Sequence, residues 1–498
     1  MNRSRDLPVF PLSRTPVRSD VSNDVEIVRH EFDAVGELDG PRIALVTLGC
    51  DKNTVDSERT MAALLGHGAR VSSDIQDAEV IIVNTCGFIR SAKEQSIETI
   101  LDACAMKGEG DVRAVVAVGC LVQRHGDELA KEIPEVDLFL GLTELPRLVT
   151  ELRGLGFLPD KSTAVPLMER PLRLLSSESR HTSYLKVSEG CDHTCAFCAI
   201  PMMRGLHRSQ PMHDLVREAS GLHAAGVQEI NIISQDTTWY GRDLRRHDSE
   251  APLLPDLLRA LLEGTAVPWY RLFYMYPSGI TRELVDLLAS EDRILPYLDM
   301  PIQHGSDRIL NLMRRPERRK TIIERTGWLR EAIPGLTLRT TVIVGFPGES
   351  EDDFSQMLEL LEEIQFERVG AFTYSVEEGT RAERLPGHVP QDVMDDRLEE
   401  LMELQRAISF ERNSMYVGRE TDVLVDQPLN DDPEYGAVGR TAGQALDVDG
   451  VTHLIGSGVW NPGEFVRARV VGAHDYDCLF YTSAAADEGL GVDLGGRR

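Results

Sequence analysis

Hydrophobic positions follow two different patterns along the chain, and the change between them divides the sequence. From residue 41 to residue 412, short apolar runs alternate with stretches in which apolar residues recur every three or four positions. Strands that alternate with helices in this way are typical of a parallel sheet covered by helices. From residue 413 onward the chain is rich in Val, Gly, Asp and Pro and has short alternating segments. This second pattern predicts a small antiparallel β-barrel.

The strands of the first pattern form two series. The first series predicts an open parallel α/β domain with strands at Arg42–Leu48, Glu79–Asn84 and Val112–Val118. The second series predicts a partial (β/α)6 barrel, with strands at Ser183–Val187, Glu229–Ser234, Arg271–Met275, Tyr297–Met300, Thr337–Val344 and Val369–Tyr374. Helices are predicted between these strands, such as Glu351–Ile364, and a closing helix is predicted over Gln391–Asn413. The predicted organisation is a flexible extension over residues 1–40, the α/β domain over 41–155, the partial barrel over 177–412, the small β-barrel over 413–481 and a tail over 482–498.

The composition narrows the class of protein. Hydrophobic residues make up 42% of the 498 residues and charged residues 27%, as in ordinary soluble domains. The formal net charge of −28 argues against a general polyanion binder and suits a basic partner. No apolar run reaches the length of a membrane span, and the N-terminus lacks the apolar segment of a secretory signal. We therefore expect a cytoplasmic protein that has no contact with a membrane.

A compact cysteine cluster is the sharpest chemical signal in the sequence. Cys191, Cys195 and Cys198 follow the first strand of the predicted partial barrel, at the end where barrel enzymes place their chemistry. Three thiolates in eight residues can hold one 4Fe-4S cube and leave its fourth iron open to a small chelating molecule such as S-adenosylmethionine (SAM). A zinc site is the alternative, but His193 lies too close to its neighbours to complete one easily.

A second set of cysteines is dispersed in the sequence but shares one position in the predicted fold. Cys50, Cys86 and Cys120 each end an apolar strand, and each has a glycine beside it: Gly49, Gly87 and Gly119. Because ligands bind outside the carboxyl ends of parallel strands, these thiols are predicted to converge on a second cluster. Three buried structural cysteines are the alternative, and that alternative is the one we expect for Cys104 and Cys478.

The compact cluster resembles the radical SAM superfamily, whose barrel holds a 4Fe-4S cluster that reduces SAM to a 5′-deoxyadenosyl radical. That resemblance places Phe197 near the adenine. Val342 to Glu349 is similar to the adenine-contacting strand and turn of the superfamily, which makes Gly345 and Glu349 candidate SAM contacts. Gln235, at the end of the second strand, is a further candidate, with an ordinary polar loop as the alternative.

Two cysteine triads followed by a small β-barrel resemble the methylthiotransferases within that superfamily. The resemblance covers residues 41 to about 481 and identifies the last domain as TRAM. One branch of the family modifies a tRNA adenosine, and the other, RimO, modifies the β-carbon of an aspartate in ribosomal protein uS12. The RimO pattern is the more similar one over three segments, Leu48–Glu58, Ala199–Gly205 and Tyr374–Thr380. Asp51 departs from it, because RimO usually has proline there; the departure leaves the ligands intact and bears on the shape of the loop.

The resemblance implies a transferase with two 4Fe-4S clusters and SAM as cofactors. Its partners would be uS12 on the small ribosomal subunit and a flavodoxin-like or ferredoxin-like electron donor, and we expect a monomer. Residues 413–481 contain eleven acidic residues against four arginines and no lysine, so we expect no direct RNA grip by TRAM. The alternatives are a tRNA adenosine methylthiotransferase and a non-catalytic iron–sulfur electron-transfer or scaffold protein.

Overall fold

The computed structural model describes residues 40–72, 74–108, 110–159, 172–175, 181–429, 432, 435–456 and 459–482. The predicted extension (but for residue 40), most of the stretch between the first two predicted domains and the predicted tail (but for residue 482) lie outside these residues. The chain divides into two compact units. The first contains the described residues up to Val267 together with Ser375–Arg384, and the second contains Pro268–Tyr374 and the described residues from Leu385 onward.

The first unit contains the α/β domain and the beginning of the second series of strands. Its strands are β1 (Arg42–Thr47), β2 (Arg70–Val71), β3 (Val80–Thr85), β4 (Ala114–Gly119), β5 (Leu138–Gly141), β6 (Thr182–Lys186), β7 (Ser188–Glu189), β8 (Arg208–Ser209) and β9 (Glu229–Ile233). Its α-helices are α1 (Asp51–Leu65), α2 (Arg90–Ala105), α3 (Cys120–Glu132), α4 (Leu148–Gly154), α5 (Ile200–Arg204), α6 (Met212–Ala224) and α7 (Leu254–Gly264).

The N-terminal sheet is parallel, as predicted, with the strand order β2-β1-β3-β4-β5. Alternate residues of its central strands are buried in two separate hydrophobic clusters: Ile43 and Leu45 belong to one, and Ala44 and Val46 belong to the other. A strand that buries both faces reads as a continuous apolar run, which is why β1, β3 and β4 were predictable. The edge strands β2 and β5 are too short to give a pattern, and sequence analysis missed them. Beyond this sheet, β6 and β9 pair in parallel.

The second unit continues the parallel strand–helix series. It contains β10 (Trp269–Leu272), β11 (Ile294–Asp299), β12 (Thr337–Val344), β13 (Arg368–Thr373), α8 (Arg282–Ser290), α9 (Asp307–Leu312), α10 (Arg319–Ala332), α11 (Glu351–Ile364) and α12 (Gln391–Ser414). β10 to β13 pair in parallel in sequence order, and β12 and α11 have the predicted bounds. The predicted strand Arg271–Met275 is wrong at its end, because Tyr274 has a φ of +58° and turns the chain out of the sheet.

The last five strands form a closed barrel. They are β14 (Glu420–Pro428), β15 (Ala437–Thr441), β16 (Thr452–Ile455), β17 (Phe465–Ala473) and β18 (Cys478–Thr482), in the order β14-β15-β16-β18-β17. The pairing is antiparallel, as predicted, except between β16 and β18, which are parallel. Val423, Leu454 and Val470 are among the side chains that fill its interior. In the described part of the chain, no helix is both long and apolar enough to cross a membrane.

Candidate metal centres

The three dispersed cysteines lie at one edge of the N-terminal sheet. Cys86 directly follows β3, and Cys120 directly follows β4 and is the first residue of α3. Cys50 lies three residues beyond β1 and is the N-cap of α1. β1, β3 and β4 are neighbours in the sheet, with Thr47 opposite Asn84 and Thr85 opposite Gly119. The structure thus brings these cysteines to adjacent strand ends, as the sequence predicted.

Two glycines allow the backbone to approach closely at this edge. Gly49 has a φ of +99°, and a Cβ added to it would lie 3.0 Å from the Cys86 sulfur. Gly119 has a φ of +103°, and its Cβ would lie 2.5 Å from the Asn84 side-chain oxygen. Both positions favour glycine for its backbone freedom and for its lack of a side chain. A side chain at either position would therefore collide with the neighbouring strand end.

The charge of these thiols depends on their surroundings. Cys50 is exposed, Cys86 is half-buried and Cys120 is buried. Burial raises the pKa of the Cys86 and Cys120 thiols, that of Cys120 to about 12, and the nearby cysteines raise both further. A thiol binds a metal as the thiolate, so loading of iron at these cysteines would release their protons.

Three cysteine thiols are the donors that a 4Fe-4S cluster with one open iron would take. Among the described residues, no three His, Cys, Asp or Glu side chains could hold a single metal ion. In a 4Fe-4S cube the ligands bind different irons, so three thiols serve it without meeting at one point. The three strand-end thiols therefore have the number and the chemistry of the ligands that such a cluster would need.

The compact triad lies in the loop between β7 and α5. The Cys191 N–H donates to the Gly205 carbonyl at 3.0 Å, and the Cys198 N–H donates to the Cys195 carbonyl at 3.2 Å. The Cys191 and Cys195 side chains are buried, and Cys198 is half-buried. Burial raises the pKa of Cys191 to about 12, with Cys195 adding to the effect. The loop therefore folds back on itself and holds three thiols away from most of the solvent.

Two further cysteines lie outside both triads. Cys104 is on α2 and packs against the core of the N-terminal sheet. Burial raises the pKa of its thiol to about 11, in keeping with the expected structural role. Cys478 begins β18.

Asp51, which departs from the family pattern, is the first residue of α1. Its carboxylate accepts a hydrogen bond from the Lys52 N–H at 3.0 Å and is within ion-pair distance of the Lys52 ammonium. The first helical position favours both proline and acidic residues, because each suits the free N–H groups and the positive end of the helix. Asp51 therefore starts the helix in the place where proline would.

Gln235 lies next to the loop of the compact triad. It follows β9, and its amide donates to a carboxylate oxygen of Glu189 at 3.3 Å. Its side-chain oxygen is buried and has no hydrogen-bond partner among the described residues. A buried acceptor without a donor is costly to a protein. Gln235 thus presents the acceptor that a bound ligand with an N–H group would satisfy.

The other candidate SAM contacts differ in their surroundings. Phe197 is half-buried between Cys195 and Cys198. In the second unit, Gly345 follows β12, and its N–H donates to the Glu349 carboxylate at 2.8 Å. The other Glu349 oxygen accepts a hydrogen bond from Arg397 at 2.8 Å. The Glu349 side chain is fully buried. The contacts of Glu349 therefore brace the turn after β12, and its part in binding SAM stays a prediction.

Sequence reasoning missed a buried polar network in the first unit. Arg204, the last residue of α5, donates to Asn53 at 2.6 Å, to Asp56 at 3.1 Å and to Glu189 at 2.9 Å. Lys186 also binds Asp56 and Glu189. Burial raises the pKa of Glu189, but the ion pairs with Lys186 and Arg204 outweigh it and lower the pKa to about 2. Asn53 and Arg204 both lie in the segments that resemble the family, which was the available signal.

A contact between His193 and Asp236 that the sequence did not predict holds the loop of the compact triad. His193 lies between Cys191 and Cys195, and its Nε2 is 2.6 Å from the Asp236 carboxylate. Its ring also contacts Trp239 edge-on, at 4.9 Å between ring centres. These contacts give His193 a role in fixing the loop and set it apart from the zinc-ligand alternative.

Three family models match the chain. Residues 42–141 match the uncharacterized protein family UPF0004, residues 185–361 match the radical SAM superfamily, and residues 417–479 match the TRAM domain. Each match falls inside one predicted domain, although the domain bounds themselves stay predictions. The order of the matches follows the order of the cysteine triads and the β-barrel.

Curated relatives match over nearly the whole chain. A ribosomal protein uS12 methylthiotransferase RimO from Myxococcus xanthus is 44% identical, covering 87% of this chain and 90% of the relative. Proteins of the same name from Geobacter sulfurreducens and Desulforudis audaxviator are 41% and 45% identical, covering 88% and 89% of this chain and 98% and 97% of those relatives. The chain therefore belongs to the RimO family of radical SAM methylthiotransferases.

Proposed function

We propose that this protein adds a methylthio group to the β-carbon of an aspartate in ribosomal protein uS12. The observation that carries the proposal is the pair of cysteine triads in the first unit, one at three adjacent strand ends and one in a single loop. The RimO relatives are named for uS12, and the residues matched by two family models, 42–141 and 185–361, contain the two triads. A radical SAM protein uses SAM and a 4Fe-4S cluster.

We assign one cluster to each triad. Cys191, Cys195 and Cys198 would hold the first cluster with SAM, and Cys50, Cys86 and Cys120 would hold the second. When bound, the first group supplies the radical that abstracts a hydrogen atom from an unactivated C–H bond, and the second supplies the sulfur. A side-chain base is not suited to such a bond, since its proton is not acidic enough to leave at a useful rate.

The residues of the chain would position and shield these groups. Cys191 and Cys195 are buried, which would shield part of the first site from water. The Gln235 oxygen, which has no partner among the described residues, would accept a hydrogen bond from SAM, and the Glu189 carboxylate holds the Gln235 amide in place. We also propose that Phe197, Gly345 and Glu349 contribute to SAM binding.

The charged side chains of the β-barrel favour a basic protein over RNA as the partner of this domain. Three of its four arginines are engaged by its own acids: Arg440 pairs with Asp426, Arg467 with Asp422 and Arg469 with Glu420. Arg419 lies over the ring of Tyr416. Phosphate contacts need cations that are free to meet the backbone of a nucleic acid. We therefore propose that TRAM does not grip RNA directly and that the small ribosomal subunit is met through uS12.

Some acidic residues of the barrel make contacts within the second unit and are not available to a binding partner. The Asp449 carboxylate accepts from the Tyr297 hydroxyl at 2.7 Å and lies 3.6 Å from Arg339, so it joins the barrel to the sheet of the second unit.

The remaining proposals follow the family: a monomer in the cytoplasm, with a flavodoxin-like or ferredoxin-like protein as electron donor.

The substrate test offers uS12 and unmodified tRNA separately to anaerobically reconstituted protein with dithionite, sulfide and SAM that carries a labelled methyl group. We expect the labelled methylthio mass gain on a uS12 aspartate, located by fragmentation, and none on tRNA. A uS12 variant with that aspartate replaced by asparagine is the matched control and should remain unmodified. Gain on tRNA alone would contradict the proposal and support the tRNA branch of the family.

A further inference from the structure

Arg204 connects the surroundings of the two cysteine triads. It ends α5, a helix that begins two residues after Cys198. Only 7% of the residue is exposed, and its guanidinium is bound by Asn53, Asp56 and Glu189. Asn53 and Asp56 lie on α1, which starts directly after Cys50. One buried cation therefore joins the helix after the first triad to the helix at the second.

Asn53 carries this connection to all three strand ends. Its amide donates to the Leu48 carbonyl at 2.6 Å and to the Thr85 carbonyl at 3.2 Å, at the ends of β1 and β3. The Cys120 thiol lies 3.9 Å from its side-chain oxygen. That same oxygen accepts the Arg204 hydrogen bond at 2.6 Å. A fully buried carboxamide thus spans the three strand ends and is held in place by Arg204.

The positive charge of Arg204 also reaches the thiols. Its guanidinium donates to the Asn53 side-chain oxygen at 2.6 Å, and the Cys120 sulfur lies 3.9 Å from that same oxygen. The Asp56 carboxylate accepts from Arg204 at 3.1 Å and so places a negative charge in the same buried network. A guanidinium stays ionised when buried, so its charge at this place is permanent.

We propose that Arg204 is a positioning residue for the second cysteine site: through Asn53 it fixes the three strand ends, and its charge stabilises the added negative charge of a reduced cluster there. The inference rests on the proposed function, because it assumes that Cys50, Cys86 and Cys120 hold a cluster. Charge and hydrogen bonding around a cluster set its reduction potential. Removal of the cation should therefore lower the potential, and removal of the neighbouring anion should raise it.

The test measures the potential of one cluster at a time in the full-length chain. In a background with Cys191, Cys195 and Cys198 replaced by alanine, the second site is loaded with iron and sulfide and titrated by electron paramagnetic resonance. We expect Arg204→Gln to shift the midpoint potential downward and Asp56→Asn to shift it upward. Arg204→Lys, which keeps the charge, should restore most of the wild-type potential. Arg59→Gln is the matched control and should leave it unchanged, because Arg59 lies on α1 but pairs with Glu218.

A merely structural role cannot give shifts of opposite sign. Shifts in the same direction for Arg204→Gln and Asp56→Asn, or no shift in either, would overturn the inference while leaving the proposed function in place. If Arg204→Gln fails to bind iron, Asp56→Asn and Arg204→Lys still decide the sign. If the background with wild-type Arg204 binds no cluster, the assignment of Cys50, Cys86 and Cys120 has failed, and the inference fails with it.

Discussion

The Cys86→Ala variant is expected to lose the methylthio product while it still produces 5′-deoxyadenosine from SAM. Cys86 follows β3 at the edge of the N-terminal sheet, and the compact triad lies in a separate loop between β7 and α5. Loss of one thiol removes a ligand from the strand-end site and leaves the loop thiols in place. The product yield on uS12 should fall at least ~100-fold, because a lost ligand costs more than the 10- to 100-fold of a lost outer contact. Chromatography of the nucleoside and mass spectrometry of uS12 measure the two outcomes on one reaction.

Cys104→Ala is the matched control for this experiment. Cys104 is a half-buried thiol of the same domain, but it packs against the core of the sheet and lies in neither triad. The control variant should keep both products, with at most a modest loss of stability from the small cavity. Continued methylthiolation of uS12 by Cys86→Ala would show that the strand-end cysteines do not hold the sulfur-supplying site.

The Cys195→Ala variant is expected to lose both products. Cys195 is buried in the loop of the compact triad, where its carbonyl accepts the Cys198 N–H and its side chain lies close enough to Cys191 to raise the pKa of that thiol. On the proposed assignment, removal of this thiol leaves two ligands for the site that would cleave SAM, so the hydrogen-abstracting radical should not form. The 5′-deoxyadenosine signal should fall to the level of a reaction without protein, a loss of at least ~100-fold by the same reasoning on lost ligands.

The comparison of the two variants tests whether the two triads hold one cluster or two. If both triads served one cluster, Cys86→Ala and Cys195→Ala would have the same phenotype. Persistence of 5′-deoxyadenosine in Cys195→Ala would contradict the assignment of SAM cleavage to the compact triad. In that case the nucleoside assay of Cys191→Ala and Cys198→Ala would show whether any of the three thiols is needed.

The sequence predicted where the two cysteine triads lie in the fold, because their placement follows from simple rules of chain geometry. Apolar runs identified β1, β3 and β4, and parallel neighbours put the residues after them at one sheet edge. Short spacing alone put Cys191, Cys195 and Cys198 in one loop. Adjacent strands and local loops need no knowledge of side-chain orientation, so both triads could be found without a structure.

The groups around the triads could not be found in that way. Arg204 and Asn53 are 151 residues apart in the chain, and no periodicity connects them. The partners of Glu349 come from two different distant segments, with His304 at 3.3 Å on one side and Arg397 at 2.8 Å on the other. Such contacts depend on how helices pack after the sheet has formed. The local sequence pattern does not predict how the helices pack. The resemblance to a family identifies residues but does not give their contact partners.

The β-barrel shows the limit of an argument from composition. Counting charges gave an acidic domain, and the structure shows that part of this acid content serves internal ion pairs, such as the buried pair of Arg440 with Asp426. The excess of acid over base survives this correction, because each ion pair removes one acid and one arginine from the count. The preference for a basic partner therefore rests on the scarcity of free cations as much as on the surplus of anions.

The most direct test of two separate sites is a count of clusters in the full-length protein and in two triple variants. Anaerobically reconstituted protein should contain about eight irons per chain, since each 4Fe-4S cluster holds four. Replacement of Cys50, Cys86 and Cys120 by alanine should leave about four, with an electron paramagnetic resonance signal that changes when SAM is added. Replacement of Cys191, Cys195 and Cys198 should also leave about four, with a signal that SAM does not change. A wild-type chain with only about four irons, or a triple variant that loses all of them, would contradict the assignment of one cluster to each triad.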